Sequence, residues 1–241
     1  MAVKIENKAI FYHIPKTAGN WVRTVLKKQN IETEEIGYKH ANYDRVHAKT
    51  NGEMSGRNHL KEAGRKGINR VLKTFGYSSK KRKNMFEFCF VRNPIEWYES
   101  WWRYQEYKRN WKKWGKKNWH PNRALNGLGS NRFNEFVKKV LKEKTGYATE
   151  LMFSYTRPEM NFIGRKENIR NDLKKALNMA KIKFDESTLE SQKRKNVTEN
   201  RHENVKWKSS IKNEVIVTES CSLLRFGYMQ KHDLYEKIGV N

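Results

Sequence analysis

The sequence predicts an α/β protein with a central, mostly parallel sheet and helices on both faces. Three observations carry that expectation. Two short apolar runs, Ala9-Ile10-Phe11-Tyr12-His13-Ile14 and Phe86-Glu87-Phe88-Cys89-Phe90-Val91, are each stopped by a turn signal, Pro15 and Asn93-Pro94. Strands buried on both faces read as continuous apolar runs of this kind. Each run is followed at once by a segment of helical spacing, and strand, loop, helix is the first half of a βαβ unit.

The elements follow in chain order. After Pro15 and Gly19, the segment Trp21-Val22-Arg23-Thr24-Val25-Leu26 is helical, with Trp21, Val25 and, more weakly, Val22 and Leu26 facing the core. Residues 49–84 are polar and rich in Gly, Lys and Asn, with a helix expected around 68–75 and a basic loop at 80–83. Pro94 suits the first turn of the next helix, where its missing N–H costs nothing. That helix continues from Trp97 to Tyr107, and an exposed loop is expected over 110–129. Residues 131–144 form an amphipathic helix with Phe133, Phe136, Val137, Val140 and Leu141 on one face. Phe162-Ile163-Gly164 reads as a short strand, and 168–180 as a helix with Ile169, Leu173, Ala176, Leu177 and Ala180 inward. Residues 192–204 read as a polar loop. Val215-Ile216-Val217 has the propensity of a strand, while Ile211, Val215 and Thr218 have helical spacing, so both readings stay open. No repeat or boundary divides the chain. The expectation is one domain over 1–241, with a Trp/Lys-rich insert around 97–129.

Composition bounds the function. Lys plus Arg is 51 against 26 Asp plus Glu, a formal charge of +25. Such a field attracts anions: nucleic acid, anionic membrane, acidic glycans or phosphate-bearing small molecules. The abundance of Lys and Asn is also what an AT-rich coding sequence gives, so charge alone names no partner. Aromatics are 12% of the chain, with eight Trp, which argues for a folded protein because disordered chains are poor in them. Two cysteines, Cys89 and Cys221, support neither a disulfide framework nor a Cys-rich zinc site. The seven His lack metal-ligand spacing, so no metal is expected. The first 30 residues carry no signal-peptide core, and no apolar run reaches the roughly 18 residues of a membrane span. The expected location is cytoplasmic.

Two segments can carry chemistry. In His13-Ile14-Pro15-Lys16-Thr17-Ala18-Gly19-Asn20-Trp21 a Gly-containing loop joins a strand to a helix. Backbone N–H groups and the helix dipole then favour an anion, Lys16 adds a point charge and Thr17 a hydroxyl. The nucleotide-binding pattern G-x-x-x-x-G-K-[ST] is absent. A plain strand-to-helix turn with a solvated lysine fits these residues equally well. The second segment is Val91-Arg92-Asn93-Pro94 with Ser100 eight residues after Arg92. Arg at a strand end can fork onto phosphate, and Ser100 lies about two helical turns on. Taken alone, a surface Arg and a helix Ser explain it better.

Together, HIPKTAGNW and FVRNPIEWYESWW resemble the two nucleotide-binding signatures of the sulfotransferase superfamily, in the form found in carbohydrate sulfotransferases and their bacterial and viral relatives. Three weaker similarities occur in the same order: Lys39-His40-Ala41, Phe162-Ile163-Gly164-Arg165-Lys166-Glu167-Asn168 and Leu224-Arg225-Phe226-Gly227-Tyr228. The resemblance spans residues 10–228. It implies a P-loop-like three-layer sandwich using 3′-phosphoadenosine 5′-phosphosulfate (PAPS), with 3′,5′-ADP (PAP) as product. It further implies that Lys16 bridges the 5′-phosphate and the leaving oxygen. Thr17, Ala18, Gly19, Asn20 and Trp21 would hold the phosphosulfate, and Arg92 and Ser100 the 3′-phosphate. His40 matches a position that supplies the base, and a neutral imidazole suits that role. His13 would orient the loop, and Arg165 with residues 194–198 would close over the nucleotide. Asn20 departs from the usual Thr or Ser, and the Trp-rich segment has no counterpart.

The Lys, Arg and Trp of residues 97–123 would line or flank an acceptor cleft. Aromatics stack on sugar faces and bases pair with acidic groups, so the expected acceptor is a glycan, acidic or neutral. A small hydroxylated molecule or a tyrosine side chain are alternatives. The rival reading is a single-stranded nucleic-acid-binding module, which needs positive charge interleaved with aromatics. It accounts for +25 and the Trp run but not for the two loops. A nucleotide or sugar kinase is weakened by the missing G-K-[ST]. Oligomeric state is not legible.

Overall fold

A computed structural model describes residues 2–37, 41–50, 85–107, 124–193 and 205–238. The expected helix at 68–75, the basic run 80–83 and the polar segment 194–204 lie outside them. In chain order the elements are β1 (Ala2–Ile5), β2 (Ala9–Tyr12), α1 (Gly19–Lys28), β3 (Thr33–Ile36), α2 (Tyr43–Thr50), β4 (Phe86–Val91) and α3 (Pro94–Tyr107). They continue with α4 (Phe133–Glu143), α5 (Tyr147–Phe153), β5 (Phe162–Arg165), a 3₁₀ turn (Lys166–Asn168) and α6 (Ile169–Met179). The last are α7 (Glu186–Ser191), α8 (Ser209–Thr218), α9 (Ser220–Arg225) and α10 (Lys231–Ile238).

The strands form one sheet in the order β3-β1-β2-β4-β5. Its functional half is parallel: β2 pairs with β4 in the register Tyr12↔Cys89, and β4 with β5 in the register Val91↔Arg165. The other half is antiparallel, so the sheet is mixed. β1 folds back on β2 through a tight turn with Glu6 and Asn7 in the left-handed region (φ 46 and 54), and β3 joins β1 as the edge. All four residues of β2 are buried, as are the last four of β4. That two-sided burial is why both read as unbroken apolar runs.

Alternation along the strands divides the interior in two. Ala9, Phe11, Phe88 and Phe90 face α1, α6 and α7, whose inward residues include Trp21, Val25, Leu173, Leu177 and Leu189. The rings of Phe11 and Phe88 stack at 5.3 Å. Each fully buried Phe contributes about 1.5–3 kcal/mol. Ile10, Tyr12, Cys89 and Val91 face the opposite layer, built from α3, α4, α5 and α8. Three layers result, as expected.

Several local expectations change. Residues 215–217 belong to helix α8, not a strand; Ile211 and Val215 sit on its buried side, so tertiary burial settles what propensity left open. Within the expected exposed loop, Leu125 is completely buried and residues 124–127 make a turn. Trp97 and Trp101 are buried, stacked at 5.4 Å in the core rather than flanking a cleft. Trp102 is half-buried and donates its indole N–H to the Ser130 carbonyl. Trp111, Trp114 and Trp119 lie outside the described residues. Among those residues, no helix is long and apolar enough to cross a membrane.

Candidate active site

Because β2 and β4 are parallel neighbours, the loops leaving their carboxyl ends lie side by side, where open α/β sheets bind ligands. The first loop runs from His13 to Ala18. Lys16 and Ala18 both adopt left-handed backbone, φ 69 and 67. A non-glycine residue there costs about 1–3 kcal/mol and persists only when its surroundings enforce it. The enforcing contacts are visible. Fully buried Thr17 donates its hydroxyl to the Ile14 carbonyl at 2.9 Å, and Trp97 of α3 donates its indole N–H to the Pro15 carbonyl at 3.0 Å. The Ala18 carbonyl accepts from the N–H groups of both Trp21 and Val22. A Cβ on Gly19 would run into the His13 ring, so glycine is required where α1 begins. Among the described residues no side chain caps α1, and its first turn holds no acid. The positive end of the helix is thus offset by no side chain among the described residues and is of a kind that favours anions.

The second loop places Arg92 against the first. Arg92 Nη1 reaches toward the Lys16 carbonyl at 3.5 Å and Nη2 donates to Glu96 Oε2 at 3.3 Å. Its Nε is buried and has no acceptor among the described residues. Burial and the neighbouring guanidinium push the Lys16 ammonium down to about 8. Lys16 Nζ lies over the Tyr104 ring, 4.2 Å from its centroid. Two cations held together with an orphaned donor form a site short of negative charge. A phosphate oxygen supplies what Nε lacks, so these residues fit an anion such as a phosphate.

Ser100 is half-buried on α3, three residues after Trp97 and four before Tyr104. Residues at that spacing share one helix face, and both flanking aromatics touch the Pro15–Lys16 stretch. Ser100 therefore sits on the face turned toward the loop. Asn20 is exposed at the start of α1. Trp21 is different: it is buried, its indole N–H points to the Gln192 carbonyl at 3.4 Å, and Arg170 lies over its ring. Its side chain ties α1 to the end of α7. His40 lies outside the described residues.

Three groups at this edge escaped the sequence reading. Glu96 sits one helical turn after Arg92, a spacing that pairs charges on any helix and could have signalled it. Lys166 Nζ lies 3.6 Å from the same Glu96 oxygen. Burial and Arg92 lower its pKa. Tyr104 belongs to no motif. Beyond β5, Arg165 donates to the Gly227 carbonyl, and the Tyr228 hydroxyl donates to Glu167 at 2.8 Å. Burial and the Glu167 carboxylate raise that phenol. The carboxyl-terminal Phe226-Gly227-Tyr228 segment is thereby strapped beside the site.

A family model, that of the sulfotransferase family, matches residues 1–226 and so includes both loops. The chain belongs to the sulfotransferase family. No curated protein and no solved structure matches it. As a sulfotransferase it acts on an acceptor bearing a hydroxyl. In this sulfotransferase the parallel half of the sheet brings Lys16, Arg92 and Lys166 to one edge.

Proposed function

We propose that this sulfotransferase moves the sulfuryl group of PAPS to a hydroxyl of an acceptor, most readily a carbohydrate. The observation that carries the reading is the meeting of Lys16 and Arg92, from two strand ends, with a buried guanidinium nitrogen short of an acceptor. PAPS supplies an activated S–O bond and two phosphate anchors. In the balanced reaction the acceptor oxygen bonds to sulfur, the bond from sulfur to the 5′-phosphate oxygen breaks, and 3′,5′-ADP leaves.

Each side chain then has a task. Lys16 neutralises the charge that grows on the leaving oxygen, an electrostatic task suited to a fixed cation in a half-buried site. The loop N–H groups and the start of α1 hold the 5′ anion. Arg92 and Ser100 hold the 3′-phosphate. His40 takes the hydroxyl proton. Tyr104, 42% exposed beside Lys16, offers an aromatic face to a sugar ring. Binding of single-stranded nucleic acid loses support, since Trp97 and Trp101 are core residues rather than a stacking platform.

The test is a melt of the full chain with 3′,5′-ADP, AMP, ATP or a short oligonucleotide. A ligand of the native state at 100 times its dissociation constant adds about 2.7 kcal/mol. A clear rise with 3′,5′-ADP and little with AMP is expected. Salt-sensitive oligonucleotide binding without a 3′,5′-ADP shift would replace this reading with the nucleic-acid one.

A further inference from the structure

Three carboxylates surround Arg92, and they are not equivalent. Glu167 is occupied by the Tyr228 hydroxyl and the Asn93 N–H. Glu99 accepts from the Trp207 indole and pairs with Arg103. Glu96 has, among the described residues, only cations as partners: its Oε2 lies 3.3 Å from Arg92 Nη2 and 3.6 Å from Lys166 Nζ. One oxygen is shared by two cations that come from two different strand ends. A phosphate oxygen bridges two donors in the same way.

We propose that Glu96 is a resident counter-anion that the phosphate monoester of an adenosine 3′,5′-bisphosphate displaces, and that Lys166, released by the exchange, joins Arg92 as the second cation of the clamp. The inference rests on the nucleotide reading above and assigns two residues which that reading does not use.

The contacts are built for exchange. The Arg92 side chain is 15% exposed, whereas that of Glu96 is 44% exposed, so the guanidinium is the fixed partner and the carboxylate the movable one. A guanidinium presents a fork of donors; one carboxylate oxygen engages Nη2 and leaves Nε without an acceptor. A tetrahedral phosphate has oxygens enough for Nε, Nη2 and the Lys166 ammonium together. The half-exposed carboxylate yields easily, because an ion pair open to solvent on one side is worth only about 1 kcal/mol. Once displaced, Glu96 remains in the first turn of α3, where the helix dipole still favours it. It offsets part of the charge of the two cations until a better anion arrives, and it speeds departure of the bisphosphate product by competing for the same donors.

The experiment is calorimetric titration of the full chain with 3′,5′-ADP and, separately, AMP. Glu96→Gln removes the competitor and should tighten 3′,5′-ADP by about threefold to fivefold. Lys166→Met removes a charge-assisted bond and should weaken it by about tenfold. AMP, lacking the 3′-phosphate, should change less than about twofold with either variant. A melt of each variant without nucleotide confirms its fold. Equal or weaker 3′,5′-ADP binding by Glu96→Gln overturns the counter-anion role. Unchanged binding by Lys166→Met removes that residue from the clamp. If the unmodified chain itself fails to bind 3′,5′-ADP, the nucleotide reading falls first and this inference with it.

Discussion

The two strand-to-helix junctions that make the site solve the same problem in opposite ways. At the start of α3 every demand is met from within. Asn93 accepts the Ile95 N–H on its side chain at 2.9 Å, its own carbonyl accepts from Trp97, Pro94 fills the first helical position, and Glu96 lies in the first turn. At the start of α1 the capping residue is Ala18 in left-handed backbone, with no side-chain cap and no acid in the first turn. One junction is arranged for stability. The other forgoes stability and keeps its positive end open, which is what an anion site needs. Lys16 follows the same logic: a half-buried cation beside another cation is a cost to the fold, and on the proposed function a bound anion offsets it.

On this contrast, the two loops fail differently when their cations are removed. Lys16→Ala should lower turnover by about 100-fold to 1000-fold, the cost of losing one group aimed at developing charge. Arg92→Ala should act chiefly on affinity, weakening 3′,5′-ADP by about tenfold to a hundredfold while leaving AMP nearly unchanged. Turnover and titration calorimetry separate the two. Full turnover by Lys16→Ala would contradict its role, and equal loss of AMP and 3′,5′-ADP by Arg92→Ala would mean a general collapse of the site.

The open junction is also the more tightly constrained one. Gly19→Ala drives a Cβ into the His13 ring, and such overpacking costs about 1–3 kcal/mol. Pro94→Ala, in the self-sufficient junction, should stay within about 0.5–1 kcal/mol. Denaturant melts of both variants measure this. A Gly19→Ala protein as stable as the parent would show that the loop has room to move and is not preformed.

Protonation sharpens the contrast further. With Lys16 lowered from 10.5 to about 8, the unfolded chain holds more protons than the native one between those values. Stability from this group therefore rises with pH across that window. Anion affinity runs the other way, since the neutral amine holds an anion poorly: it should fall by up to about tenfold per pH unit above 8. Titrations near pH 8 in two buffers of different ionisation heat should reveal proton uptake on binding 3′,5′-ADP, and Lys16→Met should abolish it. The absence of any uptake in the parent would place Lys16 outside the binding step.

What could be read in advance follows burial. β2, β4, α1, α4 and α6 were legible because each has one strong period and a turn signal, and Lys16 and Arg92 were legible because they sit where those periods break. β1 and β3 were not. Neither is an unbroken apolar run: Lys4 interrupts β1, and β3, with only Ile36 buried, is an edge held by pairing rather than by composition. Trp97 and Trp101 misled because an aromatic interleaved with charge looks like a surface until its helix is docked. Glu96 and Lys166 are joined only across the gap between β4 and β5, a proximity that sheet order creates and sequence distance hides. Thr17 has a further contact that no sequence pattern shows: its hydroxyl donates to the Ile14 carbonyl, holding the loop in shape.

The smallest effect is the most direct comparison of the two caps. Ala18→Gly relieves a left-handed alanine and should stabilise the chain by about 0.5–1 kcal/mol. Asn93→Ala deletes the side-chain acceptor for the Ile95 N–H and should destabilise it by about 0.5–2 kcal/mol. The two changes thus move the melting temperature in opposite directions although both alter a helix cap. Their effects on binding should be reversed: Ala18→Gly loosens a preformed cradle and weakens 3′,5′-ADP, whereas Asn93→Ala leaves the nucleotide affinity close to that of the parent. If Ala18→Gly raised stability and affinity together, the strain at Ala18 would be a defect of the loop rather than part of how it holds an anion.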